Sequence, residues 1–138
     1  AQHRALVINV GSTFGAIGYP GFAAYCASKF AVRGFSEALR RELADTHVRV
    51  LYFAPRATRT SMNAPSVVAM NDELGVAMDD PAQVAEELLD TIRREQEERH
   101  LGWPERLFVR LNGLLPRVVD QALRKQLPII QRFARHKH

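Results

Sequence analysis

A single cysteine, Cys26, rules out an internal disulfide framework and fits a reducing compartment. No stretch approaches the roughly eighteen uninterrupted apolar residues of a membrane span, and no secretory pattern opens the sequence. Together these absences give a cytoplasmic expectation. The five histidines (His3, His47, His100, His136 and His138) are scattered without ligand spacing, so no metal site is expected. No aromatic platform accompanies the arginines, which argues against a nucleic-acid partner. Low-complexity segments and internal repeats are also lacking.

What is there is ordinary in bulk and uneven in detail. The 138 residues suffice for one domain with a modest core, and 46% hydrophobic with 25% charged residues is usual for a globular chain. The net charge of +4 is not spread evenly. From Trp103 to His138 eight Lys/Arg stand against Glu105 and Asp120, while the remainder holds eleven against thirteen. The basic character therefore belongs to the tail.

Ala5-Leu-Val-Ile-Asn-Val10 reads as a strand buried on both faces, as in a parallel sheet, ending at Gly11-Ser12. Such a strand needs neighbours and nothing precedes it, so the expectation is a truncated chain or neighbours supplied by another polypeptide. A turn-rich loop to about Phe22 leads into a helical pattern over 22–44. Val48–Ala54 is a second strand, stopped by Pro55, and strand–helix–strand is the right-handed βαβ unit. Residues 56–80 lack a period and are expected to form a long loop with one short helix. Asp80-Pro81 signals a helix start, and the pattern runs to about Glu98. His100–Trp103 is expected to be a short last strand. Pro104, Pro116 and Pro128 are each expected to open a short helix in the tail.

The chemistry concentrates in Tyr25-Cys-Ala-Ser-Lys29. Four residues apart on a helix share a face, so phenol and ammonium stand side by side. A phenol of ordinary acidity is a poor proton carrier at neutral pH, and a neighbouring cation favours its phenolate. Ser12 lies thirteen residues earlier, at the carboxyl end of the first strand, where open parallel sheets place their ligands. Pro55-Arg-Ala-Thr-Arg-Thr60 follows the second strand and should emerge at the same rim.

This arrangement, with Gly18-Tyr-Pro-Gly-Phe-Ala-Ala-Tyr-Cys-Ala-Ser-Lys-Phe30 around it, resembles the C-terminal half of the classical short-chain dehydrogenase/reductase family. The likeness is strong over about residues 5–62 and thin in the tail. It implies an α/β, Rossmann-like doubly wound parallel sheet of which only the C-terminal half is present, spanning 1–103, with a basic amphipathic helical tail at 104–138. It implies an NAD(H)- or NADP(H)-dependent oxidoreductase interconverting a carbonyl and an alcohol. Tyr25 would exchange the proton with the substrate oxygen. Lys29 would act on Tyr25 and bind the nicotinamide ribose, and Ser12 would polarise the carbonyl. The Pro-Gly-x-x-x-Thr segment of the family maps onto Pro55 to Thr60, placing Pro55, Arg56, Thr58 and Thr60 beside the nicotinamide.

Two departures stand out. Arg56 occupies the place of a glycine, and if that position required positive φ it would be strained or the loop rearranged; Arg56 and Arg59 would otherwise face an anionic group or, as is commoner for arginines beside a loop, simply be solvated. No G-x-G-x-x-G or equivalent exists, so the chain alone is expected to bind either cofactor poorly. The resemblance implies as partners a small carbonyl or alcohol substrate with hydrophobic character, the missing N-terminal half, and a second copy when complete. The tail is expected to dock on the sheet domain or form part of a lid, with a membrane surface as the alternative reading. The rival to an enzyme is an inactive fragment or interaction module. The intact Ser12, Tyr25 and Lys29 favour the enzyme.

Overall fold

The computed structural model describes residues 3–135. The basic end at 136–138 lies outside the described residues. Three parallel strands form one sheet in the order β1 (Ala5–Val10), β2 (Val48–Ala54), β3 (Glu98–His100). Helix α1 (Ala23–Glu42) makes the crossover from β1 to β2, while α2 (Pro65–Glu73) and α3 (Pro81–Arg94) lie between β2 and β3. Helices α4 (Trp103–Leu114) and α5 (Pro116–Arg135) follow.

The buried centre is β2, not β1. Val50 to Ala54 are at most 2% exposed. In contrast to the two-faced burial expected of β1, Leu6, Val7 and Val10 are 37%, 36% and 50% exposed. The reason is topological: among the described residues β1 pairs only with β2, from Ala5↔Val48 to Val10↔Phe53, and an apolar run becomes core only where layers cover it. One link does bind β1 to its helix. Ser36, fully buried on α1, donates to the Val32 carbonyl at 2.6 Å and accepts from Asn9 Nδ2 at 2.9 Å. Its small size lets the helix approach the strand.

Other boundaries shift for identifiable reasons. β3 lies at Glu98–His100, two residues before the expected place, because Gly102 adopts φ +89° and starts α4 at Trp103. The charges of the Glu-Arg-His triplet are met within the fold: Glu98 by Arg33, with a hydrogen bond to His100, and Arg99 by Glu87 and Asp90. Asp80 caps α3, accepting from Ala82 N at 2.8 Å, with Pro81 in the first turn as expected. The helix stops at Arg94, short of Glu98, where Glu95 turns left-handed at φ 50°.

The tail forms two helices where three were expected. Pro104 and Pro116 open α4 and α5, but Pro128 sits inside α5. A proline there forfeits one backbone hydrogen bond. Val119 and Ile130, each 2% exposed, lie on either side of it, so the buried face of α5 holds the helix through the break. Tyr19 Oη donates to Gln126 at 3.0 Å, Asn112 Nδ2 donates to the Ala16 carbonyl at 2.9 Å, and Arg132 pairs with Glu73 of α2. The tail is docked on the loop after β1 and on α2.

Candidate active site

The carboxyl ends of β1 and β2 are stitched together. Gly11 N donates to Phe53 O at 2.7 Å, and Thr13 donates to the Pro55 carbonyl through both its amide, at 3.2 Å, and its hydroxyl, at 3.5 Å. Ser12 therefore sits at a braced corner. Its Oγ accepts from Phe14 N at 3.2 Å and caps a single 3-10 turn, Thr13–Gly15. That is a structural duty, and it also fixes the hydroxyl at the rim.

Tyr52 braces the corner from beneath. This phenol, 1% exposed, donates to the Ser12 carbonyl at 3.4 Å. Burial pushes its pKa up, and the bond to Ser12 and the nearby Arg33 charge offset only part of that. A Cβ on Gly11 would come closer than 3.0 Å to the Tyr52 ring, so the strand end and the phenol occupy one tight niche.

Tyr25 and Lys29 lie one turn apart on α1, as their spacing predicts. Tyr25 is 46% exposed, and the Lys29 ammonium sits 5.7 Å from the centre of its ring. Among the described residues Lys29 forms no salt bridge. Phe14, in the turn that Ser12 caps, meets Tyr25 edge-on at 6.2 Å and stacks on Tyr19 at 4.8 Å. The Ser12 turn and the Tyr25–Lys29 face are thus joined through one aromatic ring. Cys26 points inward, buried, with its thiol near the Ile17 carbonyl.

The segment after β2 is tied down on itself. Thr58 Oγ1 donates to Arg56 O at 3.0 Å, Asn63 Nδ2 donates to Thr58 O at 2.8 Å, and the exposed Thr60 hydroxyl lies 3.3 Å from Asn63 Oδ1. Arg56 is not at positive φ; among the described residues Glu95 is the one non-glycine that is, so the feared strain is absent. Its guanidinium grips Asp79 through Nε at 2.9 Å and Nη2 at 2.8 Å, and Glu105 through Nη1 at 3.3 Å. Two carboxylates of the chain thus meet its charge.

Sequence reasoning missed Thr13, Phe14, Tyr52, Asp79 and Glu105. A buried strand gives no sign that one phenol has a special role. Partners twenty-three and forty-nine residues from Arg56 leave no local pattern.

The nicotinamide end of a dinucleotide fits what is present: an accessible phenol, an ammonium with no carboxylate engaged, and hydroxyls at one rim. The phosphate end has no glycine-rich turn in this chain.

Compared with known proteins, the short chain dehydrogenase pattern matches residues 1–71. A diacetyl reductase ((S)-acetoin forming) of Staphylococcus aureus is 38% identical over 74 residues, 54% of this chain and 29% of that protein. The structure of a short chain dehydrogenase from Burkholderia cenocepacia in complex with NADP superposes with a TM-score of 0.71 at 21% identity, over 87% of this chain and 47% of that one. A 4-hydroxyisoleucine dehydrogenase complexed with NADH gives a TM-score of 0.55 at 21% identity, over 71% and 45%. The chain spans under a third of that curated relative and about half of these solved structures. With its pattern matched over half its length, the chain belongs to the short chain dehydrogenase family.

Proposed function

We propose that this chain is the catalytic, C-terminal half of an NAD(P)-dependent oxidoreductase that interconverts a carbonyl and an alcohol. The observation that carries this reading is the half-exposed Tyr25 with the Lys29 ammonium against its ring, beside the turn that holds Ser12. In the reductive direction, Ser12 Oγ donates a hydrogen bond to the substrate carbonyl, and Tyr25 Oη gives its proton to the oxygen as it becomes an alcohol. Lys29 holds positive charge beside the phenol and offers hydrogen bonds to a ribose hydroxyl. The nicotinamide, when bound, supplies the hydride. The hydroxyls of Thr58 and Thr60, with the backbone at Pro55 and Arg56, border its carboxamide side. The docked loop and tail enclose a substrate of hydrophobic character.

Replacing Tyr25 by Phe in the complete enzyme tests this. Turnover should fall by at least a thousandfold while the circular dichroism spectrum is unchanged. Retained turnover would remove Tyr25 from the mechanism. The isolated chain should show no micromolar saturation by NAD(H) or NADP(H) in intrinsic fluorescence, because it carries no glycine-rich phosphate-binding turn.

A second reading attaches to α4. Trp103, Leu107 and Leu114 are 67%, 43% and 79% exposed, and Arg106 and Arg110 lie along the same side. No helix among the described residues is long and apolar enough to cross a membrane. An apolar stripe edged by arginines fits the interface of an anionic bilayer. Co-sedimentation with phosphatidylserine vesicles, lost on Leu107→Glu, would support it, and no binding by the unaltered chain would end it.

A further inference from the structure

We propose that Arg56 is a positioning residue that latches the 57–79 loop and the helical tail into one unit at the rim of the sheet. The inference rests on geometry alone and stands whether or not the chain performs hydride chemistry.

Arg56 follows Pro55, whose carbonyl is already fixed by Thr13, so the guanidinium is anchored at a rigid point. Two arms leave it. Towards the loop, the planar fork makes a two-point contact with the Asp79 carboxylate. The same Asp79 closes the neck of the loop through its backbone: its amide donates to Ala57 O at 2.8 Å, and its carbonyl accepts from Arg59 N at 2.9 Å. Towards the tail, Nη1 reaches Glu105 in the first turn of α4. The side chains of Arg56, Asp79 and Glu105 are only 21%, 12% and 19% exposed, which separates this cluster from a solvated surface pair.

Gly102 shows that the approach of α4 is close. A Cβ there would lie 2.9 Å from Arg56 Cδ and would also meet the Glu105 carboxylate. The far side of the loop is joined to the tail again, because Glu73 of α2 pairs with Arg132 of α5. Loop and tail therefore form a closed ring of contacts, which Arg56 ties to the end of β2 beside the bond from the Leu101 amide to Ala54 O. Lysine, a single point charge, could not hold both arms.

The test is hydrogen exchange by mass spectrometry on the full chain, with Trp103 emission as a second readout, since this is the sole tryptophan and lies two residues from Glu105. Glu105→Ala should speed exchange at least tenfold in 103–115. It should also do so in 60–78, a segment to which Glu105 makes no hydrogen bond, while β2 keeps its protection. Asp79→Asn should act reciprocally, loosening 103–115 and shifting Trp103 emission to the red. Glu105→Gln, which keeps an acceptor, should restore most of the protection. Exchange raised only in the mutated segment overturns the proposal, because the arms would then be independent. Exchange raised equally in β2 overturns it as well, because the cluster would then serve only general stability. Should Glu105→Ala fail to fold, Asp79→Asn and Arg56→Lys decide between the same outcomes.

Discussion

The niche shared by Gly11 and Tyr52 allows a quantitative test of how the sheet builds the site. In Gly11→Ala the added methyl would lie under 3.0 Å from three atoms of the Tyr52 ring. Neither partner can yield cheaply. The ring is 1% exposed and donates to Ser12 O, and the Gly11 amide is held by Phe53 O. Overpacking of this kind costs about 1–3 kcal/mol, and turning a buried aromatic out towards water costs a similar amount, so about 2–3 kcal/mol is expected. Against a total stability of about 5–15 kcal/mol for a domain this is a large fraction. With a urea slope of about 1–3 kcal/mol per molar, the unfolding midpoint should fall by about 1–2 M. The decisive measurement is the double-mutant cycle. In a Tyr52→Leu background the ring is gone, and Gly11→Ala should then cost about 0.5 kcal/mol, a coupling of about 2 kcal/mol. A Gly11→Ala midpoint equal to that of the unaltered chain, or strictly additive costs, would refute the steric argument.

Other consequences are briefer. Ser36→Ala should destabilise the chain by about 1 kcal/mol, because half-buried Asn9 loses the acceptor for its Nδ2 beside a fully buried Ser36; a loss below about 0.3 kcal/mol in urea unfolding would contradict this. Burial holds the phenols of Tyr52 and Tyr19 above their usual value of 10.0. Their contribution is therefore complete below about pH 10 and is lost as pH rises through the folded values, since the unfolded chain releases its protons first. Urea midpoints measured from pH 8 to 11 should fall at the alkaline end, and less steeply for Tyr52→Phe. At the acid end, burial pushes the Glu98 carboxyl up, but the His100 hydrogen bond and the charges of Arg33 and His100 outweigh it and hold the group below the ordinary carboxylate value. Its contribution is present above about pH 4.5 and is lost as pH falls through the lowered value, so His100→Ala should flatten that part of the acid titration.

What the sequence disclosed and what it hid follow one division. Tyr25 and Lys29, Asp80 with Pro81, and the strand at Val48–Ala54 are local patterns: a helical repeat, a cap, an apolar run closed by proline. Each is set by residues within a turn or two, so each was legible. The apolar run of β1 marked the strand but did not by itself give its burial. Its side chains are as apolar as those of β2, yet 50% of Val10 is exposed where Phe53 opposite it is 1% exposed, because burial is decided by the layers around a strand and not by the strand itself. Arg56 shows the same limit at the rim. Its departure from glycine was visible in the sequence, but its meaning depends on Asp79 and Glu105, which approach only when the loop and the tail have folded back. Interpreted locally, the arginine is either a solvated charge or a cation facing a ligand. Seen with its partners it is an internal tie. A charged residue at a family's glycine position is therefore better judged by the carboxylates that reach it than by the ligand its charge suggests, and here Asp79 and Glu105 already take three of the guanidinium's five N–H groups.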